Sequence, residues 1–289
     1  MLFLRKDFVK KSVAGVAAAI ATKTVMGNST SQQDNRTDDI VGFNHLPAPK
    51  DTNMNTVLHK ANTRGNANHG WLNSYHSFSF ANYYNPERMG FGKLRVLNDD
   101  YVKPGMGFNT HPHSNMEIIS IPLEGDLEHQ DSAGNVAVIK EGDIQVMSAG
   151  SGIYHSEFNK NKDKAVKFLQ IWVLTNKIGV NPRYDQMTLD QSKLNNRFLQ
   201  ILSPNPDDDG VWIYQDAWFH LGKFSSETIH NYKIHKKGNG LYAFILEGTA
   251  SIENQKLGRR DAFGIWNTEQ IKINADENST ILLLEVPMT

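Results

Sequence analysis

The 289-residue sequence contains no cysteine. This absence excludes disulfide bonds, thiolate zinc sites, iron-sulfur clusters and a cysteine nucleophile. Any bound metal must therefore be held by nitrogen and oxygen ligands. The chain has 11 histidines for that role, and the positions of three of them carry most of the functional information.

The sequence also lacks an excess of charge of either sign, because its 30 Lys and Arg residues nearly balance its 31 Asp and Glu residues. Without an overall positive field the chain has no general attraction for nucleic acid, so we expect no nucleic-acid partner. A small neutral or weakly polar ligand suits this balance better.

A long hydrophobic run is missing as well, and the apolar segment near the start is too short to span a bilayer stably. Residues 1–21 combine a cationic start, a short Ala-rich run and the pattern Ala19-Ile20-Ala21, which is typical of an export signal. Within it, Leu4 to Lys10 resembles a twin-arginine motif with lysine in place of the second arginine. We predict an exported, periplasmic protein; a frayed amphipathic helix on a cytoplasmic protein is the alternative.

Sustained helical periodicity is scarce in the rest of the chain. Residues 22–55 are predicted to be a flexible linker, because from residue 27 onward they are rich in Asn, Ser, Thr, Asp and Gln and poor in large apolar groups. From Thr56 onward, short β-prone runs alternate with Gly, Asn, Asp and Pro. This pattern predicts an all-β fold.

A local repeat indicates two related units. Leu123-Glu124-Gly125 and Leu246-Glu247-Gly248 each precede a second turn that contains Gly and Asp, as expected if each unit closes its own barrel. We therefore predict two stacked β-barrels or jelly rolls, with the first over residues 56–182 and the second over residues 183–289.

Two histidine-containing pairs lie in the first unit. His111 and His113 are two residues apart, as are His155 and Glu157, so on strands each pair points to one face. Neighbouring strands would bring the four side chains together around one ion. Either pair alone could equally be a turn or a packed core residue. Three imidazoles and a carboxylate suit one divalent transition metal, iron(II) first, with manganese, cobalt, nickel, copper or zinc possible.

The second unit lacks the histidine-containing pairs of the first. Counted back from the two Leu-Glu-Gly turns, His111 and His113 align with Ile234 and Lys236. The remaining histidines of this unit are irregularly spaced, and we interpret them as surface or packing residues: His220, His230 and His235. His129, in the first unit, could orient a ligand or cap a hairpin, and both interpretations stay open.

Aromatic residues are concentrated between positions 71 and 84, where they alternate with small polar residues. We interpret them as core residues in preference to substrate contacts. They are Trp71, Tyr75, Phe78, Phe80, Tyr83 and Tyr84.

Two segments match cupin motifs, and several more resemble the pirin family of cupins over about Thr56 to Pro287. The cupin matches run from Gly105 to Glu117 and from Gly142 to Asn159, the latter with two extra residues and Ser148 in place of the usual proline. The pirin-like segments are Arg64-Gly65, Trp71-Leu72, Phe78-Ser79-Phe80, Gly92-x-Leu94-Arg95-Val96, His111-Pro112-His113, Ser148-Ala149-Gly150 and His155-Ser156-Glu157.

The resemblance implies a bicupin with metal ligands His111, His113, His155 and Glu157. Glu117, the glutamate of the first cupin motif, is then expected to be a packing or supporting residue. The implied reaction is ring opening of a flavonol such as quercetin by dioxygen with release of carbon monoxide, in which Glu157 acts as the base. The expected partners are a small aromatic or phenolic substrate and O2, and we expect a monomer.

Two other functions remain open at this point. The first is a non-catalytic, metal-dependent binding or redox-sensing protein, since some pirins act as regulators of protein partners. The second is a different cupin reaction, such as an isomerisation, because the same ligands serve many chemistries. Oxygen consumption on turnover separates an isomerase from a dioxygenase.

Overall fold

A computed structural model describes residues 54–289. The predicted export signal and nearly all of the predicted linker lie outside the described residues, so both stay predictions. Within the described part of the chain, the regular structure consists of strands and two short 3-10 helices, Ala61–Thr63 and Gln191–Leu194. None of its helices is long and apolar enough to cross a membrane. The prediction of an all-β fold is confirmed.

The strands of the first half are β1 (Asn55–His59), β2 (Gly65–Asn68), β3 (Leu72–His76), β4 (Leu94–Val102), β5 (Gly107–His113), β6 (Met116–Glu124), β7 (Leu127–Asp131), β8 (Val136–Ile139), β9 (Asp143–Ser148), β10 (Ile153–Asn159), β11 (Val166–Leu174) and β12 (Arg183–Thr188). Those of the second half are β13 (Phe198–Ser203), β14 (Val211–Trp212), β15 (Trp218–Phe224), β16 (Thr228–Lys233), β17 (Asn239–Glu247), β18 (Ala250–Ile252), β19 (Gln255–Leu257), β20 (Ala262–Trp266), β21 (Gln270–Ala275) and β22 (Ser279–Pro287).

These strands form four sheets, two for each barrel. In the first barrel a seven-stranded sheet, ordered β12-β9-β6-β11-β4-β3-β2, faces a four-stranded sheet, ordered β5-β10-β7-β8. In the second barrel the corresponding sheets are β1-β20-β17-β22-β15-β13-β14 and β16-β21-β18-β19. The described chain thus contains the two cupin barrels that its internal repeat predicts.

Two strands do not pair with the barrel that their place in the sequence predicts. β1 pairs antiparallel with β20 of the second barrel, although it precedes every strand of the first. β12 pairs with β9 of the first barrel, although it follows the predicted boundary between residues 182 and 183. By strand pairing, the chain passes from the first barrel to the second between Thr188 and Phe198, and β1 belongs to the second barrel.

The two seven-stranded sheets pack against each other and bury the largest apolar cluster. Successive side chains on a strand point to opposite faces, so each of these sheets has one face toward the other barrel and one toward its own interior. In β6, Ile119 belongs to the cluster between the barrels, whereas its neighbour Ser120 points into the first barrel. Burial of both faces explains why the central strands read as nearly continuous apolar runs.

The interiors of the two barrels differ. The second barrel is filled by a single apolar cluster that includes Leu241, Ala243, Ile273 and Leu283, each with no exposed surface. The first barrel has two smaller clusters instead. Between them it contains a cavity of about 390 Å³. The candidate site lies at this cavity.

Candidate metal centre

The two histidine-containing pairs lie on adjacent antiparallel strands, β5 and β10. His111 is directly opposite His155, and His113 is opposite Ile153. The ring centroids are 4.4 Å apart for His111 and His155, and 4.9 Å apart for each of the other two histidine pairs. Each ring offers one nitrogen such that the three nitrogens lie within 4.8 Å of one another. The strand positions that the sequence suggested thus bring the three imidazoles together.

The nitrogen atoms of this cluster are largely free of protein partners. His113 Nε2 and both ring nitrogens of His155 are buried without a hydrogen-bond partner. His111 Nδ1 lies 2.7 Å from the backbone oxygen of Asn109, to which it can donate, and this tautomer leaves Nε2 as an acceptor. Buried nitrogens without partners are rare in native proteins, and a shared metal ion satisfies them.

Two of the imidazoles are in the protonation state that a metal requires. Burial, reinforced by the neighbouring His111 and His129, lowers the pKa of His155 to about 3. Burial together with the other two histidines lowers the pKa of His113 to about 4. Both rings are therefore neutral at pH 7 and can donate a lone pair to a divalent cation.

Glu157 lies beside the imidazoles but outside their group of mutually close atoms. A register shift in β10 falls between His155 and Glu157, and both side chains remain buried. Ser120 Oγ donates to Glu157 Oε1 at 3.0 Å, and Gln170 Nε2 donates to Oε2 at 2.7 Å. Because a carboxylate has about four acceptor sites, two remain for a metal or a substrate proton. Its role as fourth ligand and base stays a prediction.

Two further residues singled out in the sequence differ in their position relative to this centre. Glu117 lies on the same face of β6 as Ile119, toward the other barrel, and on the face opposite Ser120. Glu117 accepts a hydrogen bond of 2.6 Å from Ser148 Oγ, and burial raises the pKa of its carboxyl group. It is not part of the imidazole group.

His129 is buried inside the barrel, 5.4 Å from His155 between ring centroids, with Nε2 3.1 Å from Asp131 Oδ2. The contact with Asp131, which also accepts from the hairpin backbone at Ala133 and Asn135, fits a hairpin cap, and the place beside His155 fits an orienting role, so both interpretations stay open.

The second barrel has no comparable cluster in residues 54–289. Ile234 packs against the apolar interior, and Lys236 pairs with Asp216 at 2.6 Å. The ring of His230 contacts Phe198 and Phe224, both about 5 Å away between centroids, as expected of a packing residue. His220 and His235 join a hydrogen-bonded group around Tyr232 and Glu285.

The cavity beside the metal centre has an aromatic wall. Trp71 and Phe108 contact each other edge to face at 5.4 Å, and Phe80 and Trp172 do the same at the same distance. All four rings line the cavity. Phe78 belongs to the core between the barrels, as interpreted, and Trp71 packs against an apolar cluster of the first barrel. Trp71 and Phe80 also line the cavity and are therefore available as substrate contacts as well.

A row of buried polar residues crosses the interior face of the first barrel. This row was not predicted from the sequence. Five adjacent strands each contribute one member in direct register: Gln145, Ser120, Gln170, Asn98 and His76. None is more than 7% exposed. The available signal was a lone polar residue inside an apolar strand, such as Gln170 between Leu169 and Ile171. Only the register shows that these residues form one row.

Comparison with known proteins gives consistent matches over most of the chain. A family profile described as Pirin matches residues 57–173, and a profile described as quercetinase C-terminal cupin domain matches residues 200–286. A protein named quercetin 2,3-dioxygenase, from Escherichia coli, is 41% identical over 234 residues, which are 80% of this chain and 98% of that protein. A Pirin-like protein from Caulobacter vibrioides is 36% identical, covering 76% of this chain and 95% of its own length.

Solved structures agree with these matches. The crystal structure of YhhW from Escherichia coli has a TM-score of 0.77 and 40% identity, and the match covers 81% of this chain and 98% of that one. A second structure, of bacterial pirin YhhW in complex with nickel(II), has a TM-score of 0.76 and 39% identity, covering 81% and 100%. These similarities extend across both barrels.

Proposed function

This chain belongs to the pirin family of dioxygenases, and we propose that it opens the ring of a flavonol such as quercetin with dioxygen. One observation carries the proposal: a cluster of three imidazoles, two of which have buried nitrogens without a protein partner, lies beside an aromatic-lined cavity whose wall includes His111 and the buried carboxylate of Glu157. The name of the Escherichia coli relative, quercetin 2,3-dioxygenase, supports the choice of substrate.

We propose that His111, His113 and His155 hold one divalent metal and that Glu157 completes the site. Such a metal supplies Lewis acidity and positions for the substrate hydroxyl and dioxygen. We propose iron(II), because histidine and carboxylate ligands with open positions are typical of non-haem iron oxygenases. Nickel(II), the ion in the complex of bacterial pirin YhhW from Escherichia coli, is an alternative that elemental analysis would reveal, as are manganese, cobalt, copper and zinc.

In this proposal Glu157 accepts the proton that the flavonol hydroxyl releases. The carboxylate lines the cavity together with His111, so a hydroxyl bound there lies within its reach. The hydrogen bonds from Ser120 and Gln170 fix its orientation and leave lone pairs directed at the ligand. The rings of Trp71, Phe80, Phe108 and Trp172 hold a flat molecule and exclude water from it.

The test is an assay of metal-loaded protein with quercetin, run in air and under anaerobic conditions. We expect loss of the flavonol absorbance, uptake of O2 and release of carbon monoxide in air alone. His111→Ala and Glu157→Gln should abolish turnover. The matched controls are His230→Ala, a packing histidine, and Glu117→Gln, a buried glutamate outside the imidazole group, and both should retain activity.

The alternatives give different results in the same assay. If His111→Ala and the parent protein leave the flavonol equally unchanged, quercetin is not the substrate. Turnover of another compound without O2 uptake would identify an isomerase. Capture of a protein partner by the metal-loaded form alone, without any turnover, would identify a binding or sensing protein.

A further inference from the structure

One wall of the cavity is polar, and the proposed chemistry does not use most of it. Gln170, Asn98 and His76 stand side by side on β11, β4 and β3, since Gln170 is opposite Asn98 and Asn98 is opposite His76. Asp100 lies two residues further along β4, on the same face. All four side chains are buried, and all four line the cavity.

These side chains present polar atoms that lack a protein partner. Asn98 Oδ1, Asp100 Oδ1, Gln170 Oε1 and His76 Nδ1 are buried without a hydrogen bond, as is the indole nitrogen of Trp172 on the same wall. Buried polar atoms are normally satisfied, and folding tolerates an exception mainly where a ligand or ordered water completes the bond. Five such atoms around one cavity indicate a built recognition surface.

The chemistry of these atoms defines what they would bind. The amide oxygens of Asn98 and Gln170 can only accept, and the Nε2 of Gln170 is already used as a donor to Glu157. Asp100 adds another acceptor or, when protonated, a donor, and burial raises the pKa of its carboxyl group to about 7. A ligand must therefore supply several hydrogen-bond donors to this wall and an acceptor to the indole N–H of Trp172, and a hydroxyl group can do both. Hydroxyl groups on an aromatic ring meet that requirement, whereas an ether or a bare ring does not.

The polar wall extends away from Glu157 across neighbouring strands. It starts at Gln170, which donates a hydrogen bond to Glu157, and His76 lies two strands further on, about 10 Å away at the usual strand spacing. A molecule with one hydroxyl beside Glu157 thus reaches Asn98, Asp100 and His76 with groups on its far end. The aromatic rings of Trp71 and Phe80 lie along the same cavity and leave room for a flat body between the ends.

We propose that Asn98, Asp100 and His76 form a specificity site that recognises hydroxyl groups on the end of the substrate remote from Glu157. This inference rests on the proposed function and narrows it: among flavonols, those with a hydroxylated pendant ring are the substrates, and those with a bare pendant ring are discriminated against. The three residues contact substrate but take no part in the bond-breaking step.

The experiment compares flavonols that carry zero, one or two hydroxyl groups on the pendant ring. With the parent protein, kcat/KM should rise with each added hydroxyl, by roughly tenfold from zero to two. Asn98→Leu and His76→Phe should flatten this series, because each removes a polar partner of the added hydroxyl groups and so lowers the value for the dihydroxy compound more than that for the bare ring. Gln145→Leu is the matched control, since Gln145 is in the same buried row but does not line the cavity, and it should preserve the series.

Binding of the same three compounds without O2, followed by quenching of tryptophan fluorescence, separates this inference from the proposed reaction. If no compound turns over but Asn98→Leu selectively weakens binding of the dihydroxy compound, the specificity site stands and the dioxygenase proposal fails. If turnover occurs and the parent protein does not distinguish the three compounds, the specificity site is wrong. Equal weakening of all three compounds by both variants would overturn it as well.

Discussion

The interior rows of the two barrels are built on equivalent strands but differ in polarity at three of their five positions. In the first barrel the row is Gln145, Ser120, Gln170, Asn98 and His76. The offset between the Leu-Glu-Gly turns aligns Ser120 with Ala243, and the pairing around Ala243 gives the second row: Phe263, Ala243, Leu283, His220 and Gln200. The first three positions of the second row are apolar. The first barrel has polar residues at these three positions, and the second barrel uses the equivalent positions for its apolar core.

Buried glutamates show the same contrast. Glu285 in the second barrel accepts hydrogen bonds from Asn239, from Tyr232 and from the backbone of His235, all within 3.0 Å. Its acceptor sites are thus occupied by donors from the protein itself. Glu157 has two protein donors and faces a cavity. The two glutamates are therefore equally buried but differ in the acceptor sites that the protein leaves free.

The largest expected effect comes from removing an imidazole of the first barrel. His155→Ala should reduce the metal content from about one per chain to near zero and lower flavonol turnover by at least about 100-fold, because even residues that only support a metal ligand are worth roughly 10- to 100-fold. Elemental analysis and the oxygen assay check both values. Full metal content in His155→Ala would contradict the assigned centre.

The reverse change should not convert the second barrel into a metal site. Ile234→His combined with Lys236→His restores the histidine spacing, but Ile234 packs against the apolar interior, so the first of the two imidazoles would stand in surroundings that do not stabilise a charged ion. We expect the metal content to stay at about one per chain. A second equivalent would show that histidine spacing alone creates the site.

A smaller effect is expected from exchanging residues between the rows. Leu283→Gln places an amide in a filled core and should lower the free energy of unfolding by about 2–4 kcal/mol. Gln145→Leu removes an amide whose nitrogen and oxygen both lack partners, so it should raise that free energy by about 1 kcal/mol. Urea unfolding measures both. If both changes destabilise the protein equally, the two rows do not differ in how they tolerate an amide, which would contradict the account.

A pH dependence of stability is expected at Asp100. Its folded-state pKa is raised from 3.8 to about 7, so the folded protein binds a proton that the unfolded chain has released between those values. This contribution to stability is present at low pH and is lost as the pH rises through about 7. Asp100→Asn should lack it.

The urea midpoint of Asp100→Asn, relative to the parent protein, should therefore increase between pH 5 and pH 8 and then level off. Asp163→Asn, at an exposed carboxylate, is the control and should show no such trend. A difference that is constant with pH would show that Asp100 does not titrate in this range.

Some of this organisation could be predicted from the sequence, because it depends on local spacing. Pairs at i and i+2 on a strand point to one face whatever the register, which is why His111, His113 and His155 could be grouped. The repeat of the Leu-Glu-Gly turn was enough to align Ile234 and Lys236 with the first-barrel histidines. The all-β class followed from short apolar runs and turn residues.

What the sequence could not provide depends on register and on distant pairing. Ser120 and Gln170 each read as one polar residue in an apolar strand, and only the pairing of β6 with β11 places them together under Glu157. β1 pairs with β20, which lies about 200 residues further along the sequence, and no local pattern indicates this pairing. His129 stayed open because its neighbour His155 lies on another strand.

The central claim is one metal in the first barrel, bound by His111, His113 and His155 with Glu157. Anomalous diffraction at the absorption edge of the metal, from crystals of the metal-loaded protein, tests it most directly. We predict a single peak per chain, within coordination distance of the three imidazoles and of Glu157. A peak in the second barrel, or one contacted by Glu117 while Glu157 points away, would contradict the account.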